Sequence, residues 1–113
     1  MYKRIDNSKY QEDVSNILHS VGMDKMAAQE LTFCYPEYFD SMSSLKYQLP
    51  SQVFRLISAL VFLEHLLTKC FKPHYSIYHY IESINAKLLS VTSVYVKKER
   101  VKECYLEASY LVN

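Results

Sequence analysis

With 113 residues, half of them hydrophobic and 22% charged, the chain has the make-up of one globular domain and not of a disordered polymer. Thirteen basic against twelve acidic side chains give a net charge of +1, which excludes the overall basic surplus of a non-specific nucleic-acid binder. A single glycine and three prolines leave little material for tight β-turns and point to helices joined by short connections.

Residues 1–7 are polar, lack the apolar stretch of a signal peptide and are expected to fray. Ser8 and Gln11 have the spacing of a capping box, in which each side chain satisfies an orphan backbone N–H at a helix start. The helix that follows places Tyr10, Val14, Ile17, Leu18 and Val21 on one face. Gly22 stands where a helix wants a left-handed residue just past its end. Asp24 caps a second helix, whose inward side is read as Met26, Ala27, Leu31 and Cys34. Pro36 disfavours helical geometry at Tyr35 and suits the first turn of a new helix over residues 36–47, so it either kinks one helix or separates two. Tyr38, Phe39, Met42 and Leu45 form the apolar stripe of that segment, and Glu37 and Asp40 face the positive end of its dipole.

Pro50 opens the stretch that dominates the chain, SQVFRLISALVFLEHLLTKCF at 51–71, with an apolar run from Leu56 to Leu63 broken only by Ser58. Val53, Leu56, Leu60, Leu63, Leu67 and Cys70 share one stripe, and Phe54, Ile57, Val61 and Phe62 occupy the other sides. A helix apolar around most of its circumference must be covered around most of it, which predicts a central helix wrapped by the others. Arg55, Glu64 and His65 interrupt it, and a bilayer span needs ~20 apolar residues, so no membrane span is expected. Lys69 and Lys72 suit the negative end of its dipole, and Pro73 stops it.

In the segment 74–96, Ile77, Ile81, Ile84, Leu88, Val91 and Tyr95 recur at 4-3 spacing, a clear amphipathic helix that favours helix over strand for the β-branched run Val91–Val96. Residues 97–103, KKERVKE, read as a solvated bridge. Val101, Cys104, Tyr105, Ala108, Leu111 and Val112 give a final helix of roughly four turns. The expected architecture is an all-α, compact single-domain bundle (residues 1–113) of five or six mostly antiparallel helices around the central one. Cys34, Cys70 and Cys104 are odd in number, far apart and set in apolar helical contexts. They read as buried reduced thiols of a soluble, cytoplasmic protein.

Candidate chemistry is sparse. His74 and His79 stand about 140° apart on a helix, His65 does not face its neighbour Glu64, and no Glu-x-x-His pair occurs, so neither metal nor cofactor is expected. With no glycine-rich phosphate loop and no nucleophile elbow, the chain does not read as an enzyme. Lys97, Lys98, Arg100 and Lys102, flanked by Tyr95 and Tyr105, make a basic segment suited to phosphate contacts, although Glu99, Glu103 and Glu107 interleave as on an ordinary solvated helix.

The aromatic surplus is more distinctive, since eleven of sixteen aromatic residues are tyrosine. In HYSIYHY, residues 74–80, only Ile77 belongs to the inward stripe, so Tyr75, Tyr78 and Tyr80 cannot all point inward. Tyr35, Tyr38 and Phe39 around Pro36 form a second aromatic cluster. Exposed aromatics with few charges nearby mark interface centres. The expected function is protein–protein interaction through these six residues. An adaptor, an inhibitor or a small chaperone of viral, phage or secretion type would fit, bound to another protein or to a second copy. The alternative is a small nucleic-acid-binding regulator using residues 97–102.

Overall fold

The computed structural model describes residues 6–69 and 76–112, the side chains of 93–95 excepted. Among these residues six α-helices follow one another: α1 (Ser8–Ser20), α2 (Lys25–Phe33), α3 (Pro36–Met42), α4 (Ser51–Lys69), α5 (Ser76–Tyr95) and α6 (Lys98–Val112). A short 3-10 turn, Ser43–Leu45, extends α3, and no strand occurs among the described residues. The expected all-α bundle is what the chain forms, with a Cα radius of gyration of 13.5 Å, close to the ~13 Å of a compact chain of this length.

Helix α4 is the centre. Eleven of its 19 residues are buried, on all sides, and α1, α5 and α6 pack directly against it. Its length and a mean hydropathy of 1.2 are what a membrane-crossing helix also shows, but here that apolar surface is taken up by the other helices. Phe62, Ile57, Leu63, Val53 and Val61 are fully buried together with Leu18 and Val14 of α1, Phe39 and Met42 of α3 and Ile84 of α5. Complete burial of side chains of this size stabilises by about 1.5–3 kcal/mol each relative to exposure, so this layer dominates the folding free energy.

Local signals fix most boundaries. Gly22 has φ +118°, and the N–H groups of Gly22 and Met23 donate to the carbonyls of His19 and Leu18, closing α1 with both bonds of a Schellman motif. The Asp24 carboxylate accepts from Ala27 N at 3.1 Å and starts α2 as expected. Pro36 separates two helices: it occupies the first turn of α3, and Tyr35 before it is non-helical, with φ −125° and ψ 57°. The carbonyl of Pro50 accepts from Phe54 N at the start of α4. Helix α5 continues to Tyr95, so the β-branched run is helical.

Other local expectations are corrected. The capping box does not form: the Asp6 carboxylate accepts from the backbone N–H and hydroxyl of Ser8, and Gln11 turns inward to donate to the Thr32 carbonyl at 3.3 Å. Burial of the Gln11 amide is satisfied there, which capping would forgo. Asn7 is not frayed, because it is buried and donates to Asp40 at 2.7 Å, tying the start of α1 to α3. On α2 the inward side is Ala28 and Thr32, while Met26, Ala27 and Cys34 are exposed. Small residues at the contact let α2 lie close along α1, and hydrophobicity alone misplaced the face by about a third of a turn. Cys34 is therefore a surface thiol, Cys104 is buried, and Cys70 lies outside the described residues. Helix α6 begins at Lys98, which reduces the solvated bridge to Val96 and Lys97. Leu111 is about half exposed and not part of the inward set. Lys72 and Pro73 lie outside the described residues.

Candidate functional site

The aromatic residues separate into a core and a surface group. Tyr38 and Phe39 are buried, so the second aromatic patch is not a surface. Their rings meet edge to face at 5.0 Å, and Phe62 of α4 packs on both, at 5.0 and 5.5 Å. Tyr35 is half-buried with its ring edge-on to Phe62 at 5.8 Å. Tyr10 of α1 closes the cluster on Phe39 at 5.1 Å and Phe54 at 5.6 Å, and His65 stacks on Tyr38. Two phenols then need hydrogen-bond partners inside an apolar core, and Ser58 of α4 supplies both. Tyr38 donates to the Ser58 carbonyl at 2.6 Å, Tyr10 donates to the Ser58 hydroxyl, and that hydroxyl donates to the Phe54 carbonyl at 2.9 Å. The one polar residue in the apolar run is thus the polar centre of the core. Burial pushes the Tyr10 and Tyr38 phenols well above the ordinary tyrosine value.

Of the first aromatic group, Tyr75 lies outside the described residues. Tyr80 is half-buried against the core, with its ring over Gly22, 3.4 Å from where a Cβ there would stand. Tyr78 alone is plainly exposed. The five described residues of the six therefore do not form one surface.

The surface that does carry an unusual combination lies between α5 and α6. These helices are joined only by Val96 and Lys97, each packs on α4, and they diverge from one another, leaving a groove of about 850 Å³. Leu88, Leu89, Val96 and Val101 give it an apolar lining. Leu89 is 74% exposed, because it lies off the α5 stripe and α6 does not reach it. Thr92, also in the groove, donates to the Leu88 carbonyl and has no outstanding polar demand. Lys97, Lys98 and Lys102 line the same groove, and none of the three pairs with a carboxylate among the described residues. No family model, curated protein or solved structure matches the chain.

The α6 wall is held by two long-range bonds. Tyr105 donates to the Glu64 carboxylate of α4, at 2.7 and 2.8 Å from its two oxygens, and burial and that hydrogen bond push the phenol up to about 12. Arg100 turns the other way, donating to the Gln48 carbonyl at 3.1 Å and facing Glu103 at 3.6 Å. The four basic residues expected to act together are therefore split, three at the groove and Arg100 across the helix. A second, more polar cleft of about 490 Å³ separates α1, α4 and α5. Its Arg55 already meets Asp13, Nε to Oδ2 at 2.7 Å, as a charge pair off the N–H direction. Among the described residues, no three His, Cys, Asp or Glu side chains are grouped as metal ligands would be.

Sequence reasoning named the lysines but missed the groove. The signal was Leu89: a leucine outside the inward spacing of α5, about two helical turns before a run of unpaired lysines.

Proposed function

We propose that the chain is a protein-interaction module whose α5–α6 groove takes up an apolar helix with acidic flanks from a partner protein. The observation that carries this reading is the apolar lining around Leu89 beside three uncompensated lysines. An amphipathic helix lays its apolar face into such a groove, and carboxylates at its edges meet lysines at the rim. Few of those charges need desolvation, so the lining supplies affinity while the lysines supply orientation and partner choice. A nucleic acid fits this surface less well. Stacking calls for exposed aromatics, whereas Tyr105 is half-buried and held by Glu64, and Arg100 is engaged elsewhere. The module would act as an adaptor or an inhibitor, by occupying the helix it binds.

The test uses fluorescence anisotropy with a labelled synthetic amphipathic helix carrying leucines on one face and glutamates beside them. Wild-type protein should bind it, should ignore the same peptide with lysines for glutamates, and should lose binding on Leu89→Glu with circular dichroism unchanged. Equal binding of both peptides, or of neither by a monomeric protein, would remove this reading. Salt-steep binding of a DNA or RNA oligonucleotide in its place would favour the nucleic-acid alternative.

A further inference from the structure

Helix α6 also presents, on its outward face, the surface that the groove would accept. At 100° per residue, Glu99, Glu103, Leu106 and Tyr110 form one stripe, with Glu107 beside it. Tyr110 is 90% exposed and Leu106 55%, while Cys104 and Ala108 on the other side of the helix are buried. Two large apolar side chains among three carboxylates on an outward helix face are not explained by the packing of the monomer.

We propose that the occupant of the groove is this stripe on a second copy of the chain; the proposal rests on the reading of the groove as a protein-binding site. Charge complementarity decides for a copy of itself. Lys97, Lys98 and Lys102 lack carboxylate partners, and Glu99 and Glu107 lack cationic ones, among the described residues. Glu103 holds only the exposed contact to Arg100, which a better-placed lysine can replace at little cost. Groove and stripe are neighbouring faces of one helix with Lys102 between them. A two-fold axis beside α6 therefore lets each copy seat Leu106 and Tyr110 in the other's groove. Both contacts are identical, the assembly closes at two copies, and the exposed Leu89 is covered.

The experiment is light scattering on a sizing column over a range of concentrations, with two charge-reversed variants. One is Lys98→Glu with Lys102→Glu, which makes both edges acidic; the other is Glu103→Lys with Glu107→Lys, which makes both edges basic. Wild type should run as a dimer, each variant alone should associate about tenfold or more weakly, and an equimolar mixture of the two should recover the dimer. A mixture that stays monomeric overturns the proposal, and so does a wild-type mass above a dimer. A wild-type monomer that still binds the acidic peptide overturns self-association and leaves the groove reading intact. A monomer that ignores that peptide removes both. The variant Leu106→Asp with Tyr110→Asp should lose the dimer and keep the peptide.

Discussion

Replacing Ser58 by Ala should destabilise the fold through Tyr10, not through Ser58 itself. The serine hydroxyl is fully buried and accepts from Tyr10 while donating to Phe54 O. Without it the Tyr10 phenol keeps its place against Phe39 and Phe54 but loses its partner, and an orphaned buried donor costs about 1–3 kcal/mol. Alanine is the better helix former by about 0.5 kcal/mol, which offsets part of this. The net loss is about 1.5 kcal/mol, or a fall in Tm of about 6 °C for a domain of this size. Tyr10→Phe alone should cost about 1 kcal/mol, because Ser58 retains its bond to Phe54. The double variant leaves no orphan, so it should be less destabilised than the two singles added together, by about 1 kcal/mol. Urea unfolding followed by circular dichroism measures all four corners of this cycle. Strict additivity, or a Ser58→Ala variant as stable as wild type, would refute the idea that Ser58 is the polar centre of the core.

Three further outcomes follow from the same structure. Gly22→Ala should cost about 1–2 kcal/mol in thermal unfolding, since φ +118° is disfavoured for a residue with Cβ, while the new methyl only reaches van der Waals contact with the Tyr80 ring; an unchanged Tm would contradict it. Tyr10, Tyr38 and Tyr105 have phenols held above the ordinary value near 10, so the folded chain binds protons there that the unfolded chain has released. Their stabilising contribution is complete below pH 10 and falls as pH rises, for Tyr105 through about 12. An ultraviolet tyrosinate titration should therefore show a late group of tyrosines ionising together with loss of helix, whereas eleven phenols titrating at the ordinary value would sink the assignment. In a Cys70→Ser background, one thiol, Cys34, should react quickly with a maleimide, and Cys104, 2% exposed and raised by burial, only after unfolding. Two fast thiols would contradict the placement of Cys104.

The sequence by itself determined the elements and the centre of this protein. Gly22, Asp24, Pro36 and Pro50 act through backbone geometry and capping within a few residues of themselves, so the boundaries they mark are readable without knowing the fold. The apolar circumference of Leu56–Leu63 likewise requires burial whatever covers it. Choices between equally apolar or equally polar faces belonged to the tertiary structure. Whether Gln11 caps or turns inward depended on Thr32 lying across from it, and Ala28 faced α1 because close approach there favours small residues over Met26. Tyr38 could enter the core because the backbone carbonyl of Ser58, twenty residues along the chain, accepts from its phenol, and Phe39 packs beside it on Phe62. The same holds for the candidate site. Periodicity could show that Leu89 lay off the stripe of α5, but only the divergence of α5 and α6 over α4 left it uncovered beside three lysines. A groove is a gap between helices, set by how side chains far apart in sequence pack, and no local spacing encodes it.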